Sequence, residues 1–222
     1  MKRLIRRIVL SRTYQLGSEA DGWVVSLDPD NRLLTRHNRR RLDAEALRDT
    51  ILAASGMLVG QPGVGSDIRH YDVLINTQGN LHRPSNHRSI YLCMMRNSPP
   101  PELAAFDLPD GLRVQGKRQE TVLPTHSLYL LNNPFVVEKA DEFAAELLAD
   151  DQLSDAGRVA ECYRHILMRQ PVGSETARAL ELVRGMESDL ESAGSETKNR
   201  NLKVWAALAQ ALFMTSEFRY VD

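Results

Sequence analysis

The sequence predicts a mainly α protein: an irregular, loop-rich N-terminal half with at most a few short strands, and a helical, bundle-like C-terminal half. Three observations carry this reading. From residue 124 onward, helix-start residues (Asn133, Ser154, Ser174) repeatedly precede apolar stripes at helical spacing. Residues 56–87, by contrast, hold five glycines, two prolines and few apolar runs. The composition, 42% hydrophobic and 26% charged, is that of an ordinary folded globular protein rather than a disordered one.

Taken in order, Leu4, Ile5, Ile8 and Val9 recur at i, i+1, i+4 and i+5, which predicts an amphipathic helix over 3–13. Residues 17–35, with Gly17, Asp21-Gly22 and Asp28-Pro29-Asp30-Asn31, read as loop. Asp43 is the expected N-cap of a helix over 43–55, with Leu47 and Ile51 inward and Gly56 just past its end. Residues 56–87 read as a long excursion, and 88–95 as a short buried strand before the break at Pro99-Pro100-Pro101. Pro124 opens a helix to about Leu131. Asn133, with Pro134 at the first helical position, opens the next, which runs to about Ala149 with Phe135, Val136, Ala140, Phe143, Ala144 and Leu147 inward. Ser154 caps a helix to about Met168, and Ser174 caps another with Leu180, Val183 and Leu190 inward. A last helix over 201–216 carries Leu202, Trp205, Leu208, Ala209, Leu212 and Phe213. One domain over 1–222 is expected. The place where a soft boundary fits is near 120.

That position is where the charge changes sign. The formal net charge is −1, so the chain as a whole has no attraction for nucleic acid or acidic lipid. Residues 1–120, however, carry 18 Lys/Arg against 13 Asp/Glu, and residues 121–222 carry 10 against 16. The two cysteines, Cys93 and Cys162, lie in apolar surroundings and read as buried thiols acting as small hydrophobes. A disulfide between them is left open. No apolar run is long enough to span a bilayer, and Arg6 and Arg7 interrupt what would be the apolar core of a signal peptide.

No catalytic or cofactor motif is found, so no cofactor is expected and whether the chain is an enzyme is left open. The six histidines include no pair spaced to meet on one helix face. His70, His82 and His87 share the irregular segment with Asp67 and Asp72, where solvated loop residues are the simpler reading than a metal site. Arg12 and Tyr14, in Ser11-Arg12-Thr13-Tyr14, suit either an anion or sugar clamp or a helix C-terminus satisfied by its own arginine. The basic run from Arg36 to Arg41 suits a structural ion-pair cluster, with Glu45 and Asp49 spaced to pair with Arg41 and Arg48. Phosphate or nucleic-acid binding is the lesser reading, because no aromatic residues interleave. Gly60 to Gly65 lacks the ending of a phosphate loop and reads as turns. Asp107 and Asp110, with Glu102 before them, are a weak signal for a pair of hydrolytic carboxylates.

Several segments taken together resemble a known domain. They are Ile8 to Gln15, Arg39 to Asp49, Arg88-Ser89-Ile90-Tyr91, Phe106-Asp107, Arg118 with Thr121, Pro124-Thr125, Leu130 to Asn133 and Ser216-Glu217-Phe218. In this order and spacing the chain resembles the C-terminal domain of unknown function of large planctomycete multidomain proteins. His126 departs from the pattern, which has Gln there. The resemblance implies upstream partner domains, including a cytochrome c–like module, a periplasmic or cell-surface location, and a connection with polysaccharide. It also places Met1 inside a helix of a longer parent protein. It brings no mechanism with it.

The expected function is therefore a structural or interaction module. The alternative is a carbohydrate-binding or carbohydrate-acting domain in which Arg12, Tyr14, Arg88 and Arg118 donate and Asp49 or Asp107 supplies the carboxylate. Nucleic-acid binding through Arg36 to Arg41 ranks last.

Overall fold

The computed structural model describes residues 1–63, 82–95, 98–109, 114, 116–119, 121–194 and 196–221. They form two compact units, Met1–Arg41 with Tyr220–Asp222, and Leu42–Arg219. Both sides of position 120 fall in the second unit.

The first unit opens with α1 (Lys2–Val9). It stops short of the predicted end at 13. Ser11 Oγ donates to Ile8 O (2.7 Å) and the Gln15 side-chain amide to Val9 O (3.2 Å), and these bonds take carbonyls that a longer helix would have used. On its apolar face Leu4, Ile5 and Ile8 are each about half exposed. A second helix, α2 (Gly22–Leu27), lies in the stretch expected to be loop, and leaves Trp23 and Leu27 largely exposed. The Asp-Pro-Asp-Asn turn that follows is knit by its own side chains. Asp28, which is buried, accepts from Arg32 N (2.8 Å) and Leu33 N (2.7 Å). Asn31, at φ 50°, donates to Arg36 O (2.7 Å). Two-residue strands β1 (Arg40–Arg41) and β2 (Tyr220–Val221) pair antiparallel, Arg40 opposite Val221 and Arg41 opposite Tyr220.

The second unit is helical. Asp43 caps α3 (Ala44–Ala54) by accepting from Ala46 N at 3.0 Å, as its sequence indicates. The expected strand over 88–95 is instead a 3₁₀ turn, Ser89–Tyr91. Asp49 draws in both the amide and the hydroxyl of Ser89, and that turn geometry excludes a ladder. Short α4 (Pro101–Ala104) leads to α5 (Pro124–Asn132), then α6 (Pro134–Leu148), α7 (Asp155–Ile166), α8 (Gly173–Ser192), α9 (Thr197–Phe213) and α10 (Ser216–Arg219). Asn133 and Ser154 cap α6 and α7, accepting from Phe135 N (2.9 Å) and Gly157 N (3.2 Å). At α8 the cap is Val172 rather than Ser174, and the Glu175 carboxylate accepts from Val172 N at 2.8 Å. The end of α7 comes before Met168, whose φ of 57° is outside the helical region.

The core lies where α9 crosses its neighbours. Val204, Trp205, Leu208, Ala209, Leu212 and Phe213 of α9 are buried with Val136, Ala140, Phe143, Ala144 and Leu147 of α6. Val159, Cys162 and Ile166 of α7 and Ala179 and Val183 of α8 complete it. This is the apolar pattern read from the sequence, with Phe135, Leu180, Leu190 and Leu202 only partly buried. Both cysteines are free thiols; Cys162 is fully buried, which pushes its thiol up to about 12, and Cys93 is half-buried.

Trp205→Ala should therefore cost about 3–5 kcal/mol of unfolding free energy. The same change at exposed Trp23 should stay within about 0.5 kcal/mol. Urea titrations of the two variants, followed by circular dichroism, compare them directly.

Candidate functional site

The polar residues singled out in the sequence fall into separate clusters. The most developed centres on α3, where adjacent Arg48 and Asp49 are both withdrawn from solvent, at 4% and 16% side-chain exposure. Arg48 Nη1 donates to His87 O (2.9 Å) and Ser89 Oγ (3.3 Å), and Nη2 to Ser85 O. Its guanidinium carbon lies 5.5 Å from the centre of the Phe135 ring. Asp49 Oδ1 accepts from Ser89 N and Ser89 Oγ, each at 2.7 Å. Arg88 Nε approaches Asp49 Oδ2 at 3.6 Å from an exposed position. Burial pulls the Arg48 guanidinium below its ordinary pKa.

One turn earlier on α3, Glu45 forms a fork–fork pair with Arg118, the Nη2–Oε1 contact being 2.8 Å, and Asp43 lies 3.8 Å from Arg118 Nη1. The Arg118 hydrogen bonds hold the Glu45 carboxyl below its usual range, and the same bonds raise Arg118. Glu45 thus pairs with Arg118, which a sequence spacing toward Arg41 did not suggest. Because Glu45 and Asp49 are four apart on a helix, Arg118 and Arg88 meet α3 along one face.

Asp107, at φ 55°, accepts from Thr121 N (2.9 Å) and Thr121 Oγ1 (2.6 Å). Arg118 and Thr121 are therefore each fastened, one to Glu45 and the other to Asp107. Arg12 and Tyr14 lie in the first unit, with Tyr14 58% exposed. In the basic run, Arg36 donates to Asp28 O (3.0 Å) and Pro29 O (2.8 Å), and Arg39 Nε to Ser18 Oγ (3.4 Å). His82 Nε2 and His87 Nδ1 donate to the carbonyls of Ser98 (2.6 Å) and Gln61 (2.8 Å). His126 is buried with its ring centre 5.0 Å from that of Phe106. Gly65, Asp67, His70, Asp72 and Asp110 lie outside the described residues. Among the described residues no group of three or more metal-binding side chains is gathered, and no helix is long and apolar enough to cross a membrane.

Sequence reading missed the strongest charge cluster. Arg169 forks onto Glu175 (2.7 and 2.8 Å) and onto Glu217 (Nη2–Oε2 2.8 Å), and its guanidinium lies 5.4 Å from the centre of the Tyr163 ring. The partners lie 6 and 48 residues away, so no local spacing reveals the set. Hydrogen bonds from Arg169, and then from Val172 N–H, hold Glu175 at about 2.

These features define a class, a helical protein whose charged residues fasten its own segments together. The family model described as "PSD1: Protein of unknown function (DUF1553)" matches residues 1–183, and the chain belongs to that family. No curated protein and no solved structure matches it.

Because Glu175 titrates lower in the native state than in the unfolded chain, its contribution is fully present above about pH 4.5 and is lost as pH falls toward about 2. Glu175→Gln should flatten the loss of stability between pH 5 and pH 2.5, as read from urea midpoints at a series of pH values.

Proposed function

We propose that this chain is a non-catalytic structural or interaction module. The observation that carries the reading is how its site-like residues are used. Asp49, Arg88, Asp107 and Arg118 each bond to a neighbouring segment: Asp49 on α3 to Ser89 and Arg88, Arg118 to Glu45 on α3, and Asp107 to Thr121. An active site of acids and bases leaves some of its donors and acceptors turned toward a substrate. The exposed apolar faces of α1 and α2 support an association role for the first unit, with a folded protein domain as partner. In the basic run, Arg36 and Arg39 are engaged by local oxygens, which favours a structural use over phosphate binding.

Residues of a working site are commonly held at some cost to stability, so replacing them often leaves stability unchanged or improves it. Structural residues behave oppositely. Asp107→Ala should lose about 1–3 kcal/mol, since it removes the carboxylate to which the Thr121 N–H and hydroxyl both donate. Arg118→Ala should lose about 1 kcal/mol or less, because the pair is partly exposed. Urea unfolding of both variants tests the proposal, and stability equal to or above wild type in both would refute it.

A further inference from the structure

Away from α3, the second unit holds a cavity of about 950 Å³ between the end of α6, α7 and the start of α9. Its volume is at the upper end of the roughly 300–1,000 Å³ range of small-molecule sites. Its polar lining contrasts with the clusters described above. Asp151, Thr197 and Asn199, which are exposed, and half-buried Asn201 line the cavity, and among the described residues none of their side chains has a hydrogen bond or ion pair to the protein. Leu148 and Leu202 supply an apolar floor. Arg158 forms one wall; Asp155 (3.2 Å) and the Trp205 ring, 5.9 Å from its guanidinium carbon, hold it, while its buried Nε–H has no partner among the described residues.

We propose that this cavity binds a small, neutral, polyhydroxylated ligand of the size of one or two hexose rings. The donor and acceptor balance selects that class. The two side-chain amides and the hydroxyl each donate and accept, whereas the Asp151 carboxylate only accepts. A ligand hydroxyl also does both, so a polyol pairs with every one of these groups, and its C–H faces lie on Leu148 and Leu202. An anionic ligand meets the carboxylates of Asp151 and Glu196 at the cavity wall. A polyamine satisfies the carboxylates but brings no acceptor for the Asn and Thr donors, and it meets the charge of Arg158. The inference stands apart from the structural reading of α3, because none of these residues takes part in those clusters.

Methyl-resolved NMR of the whole chain tests it, with maltose and cellobiose as probes and glucose 6-phosphate and spermidine as charged comparators. Either disaccharide should shift the Leu148 and Leu202 methyl signals, and Asn199→Ala/Asn201→Ala should weaken binding tenfold or more with the thermal midpoint retained. If that double variant fails to fold, the wild-type shifts at Leu148 and Leu202 decide the matter alone. The proposal is overturned if neither disaccharide shifts these methyls, if the folded double variant binds as wild type does, or if only a charged comparator binds.

Discussion

A buried guanidinium constrains much of the second unit. Arg48 is 4% exposed, and withdrawing such a group from water is costly unless its charge and its N–H groups are matched. Most of the match comes from chain far away in sequence, the carbonyls of Ser85 and His87 and the hydroxyl of Ser89, with the carboxylate of Asp49 beside it; the buried Nε–H has no partner among the described residues. Once those carbonyls must face α3, the path of residues 85–89 is set. Ser89 then falls under Asp49, the chain turns through Ser89–Tyr91 as a 3₁₀ segment, and Arg88 is left at the rim. The same helix face holds Arg118 through Glu45, so α3 anchors two otherwise irregular segments.

The helical bundle supplies the rigid body to which this is attached. Here the burial is apolar and local in its logic: α9 presents Trp205, Leu208, Leu212 and Phe213 to α6, and α6 and α7 are started by the polar caps Asn133 and Ser154, with Pro134 at the first position of α6. Such order needs no coincidence between distant residues. The cavity at the ends of α6 and α9 is framed by these helices and α7 together with Ala149, Asp151 and Glu196 of the connecting turns.

This division also explains what was legible in the sequence. Apolar periodicity and caps act over one or two turns, so Asp43, Asn133 and Ser154 and the inward stripes of α6 and α9 could be read directly. The 88–95 segment read as a strand because its apolar run is compatible with one; a carboxylate forty residues earlier decides otherwise. In the same way Asp49, Arg88, Asp107 and Arg118 could be identified as notable, while their partners Ser89, Glu45 and Thr121 required the fold. The helix α2 was hidden by flanking turn residues, and α1 was read too long because Ser11 and Gln15 intercept its last carbonyls. The Asn and Asp side chains of the cavity carry no signature of their own, since polar residues at helix ends are ordinary.

The central claim is that site-like polar residues act as clamps, and a double-mutant cycle at Asp49 and Ser89 measures it most directly. Unfolding free energies of Asp49→Ala, Ser89→Ala and the double variant give the coupling between the two side chains. The account predicts a favourable coupling of about 0.5–3 kcal/mol, with both single variants less stable than wild type. A coupling of zero, with Asp49→Ala as stable as the parent chain, would contradict it and would return Asp49 to the list of candidate functional groups.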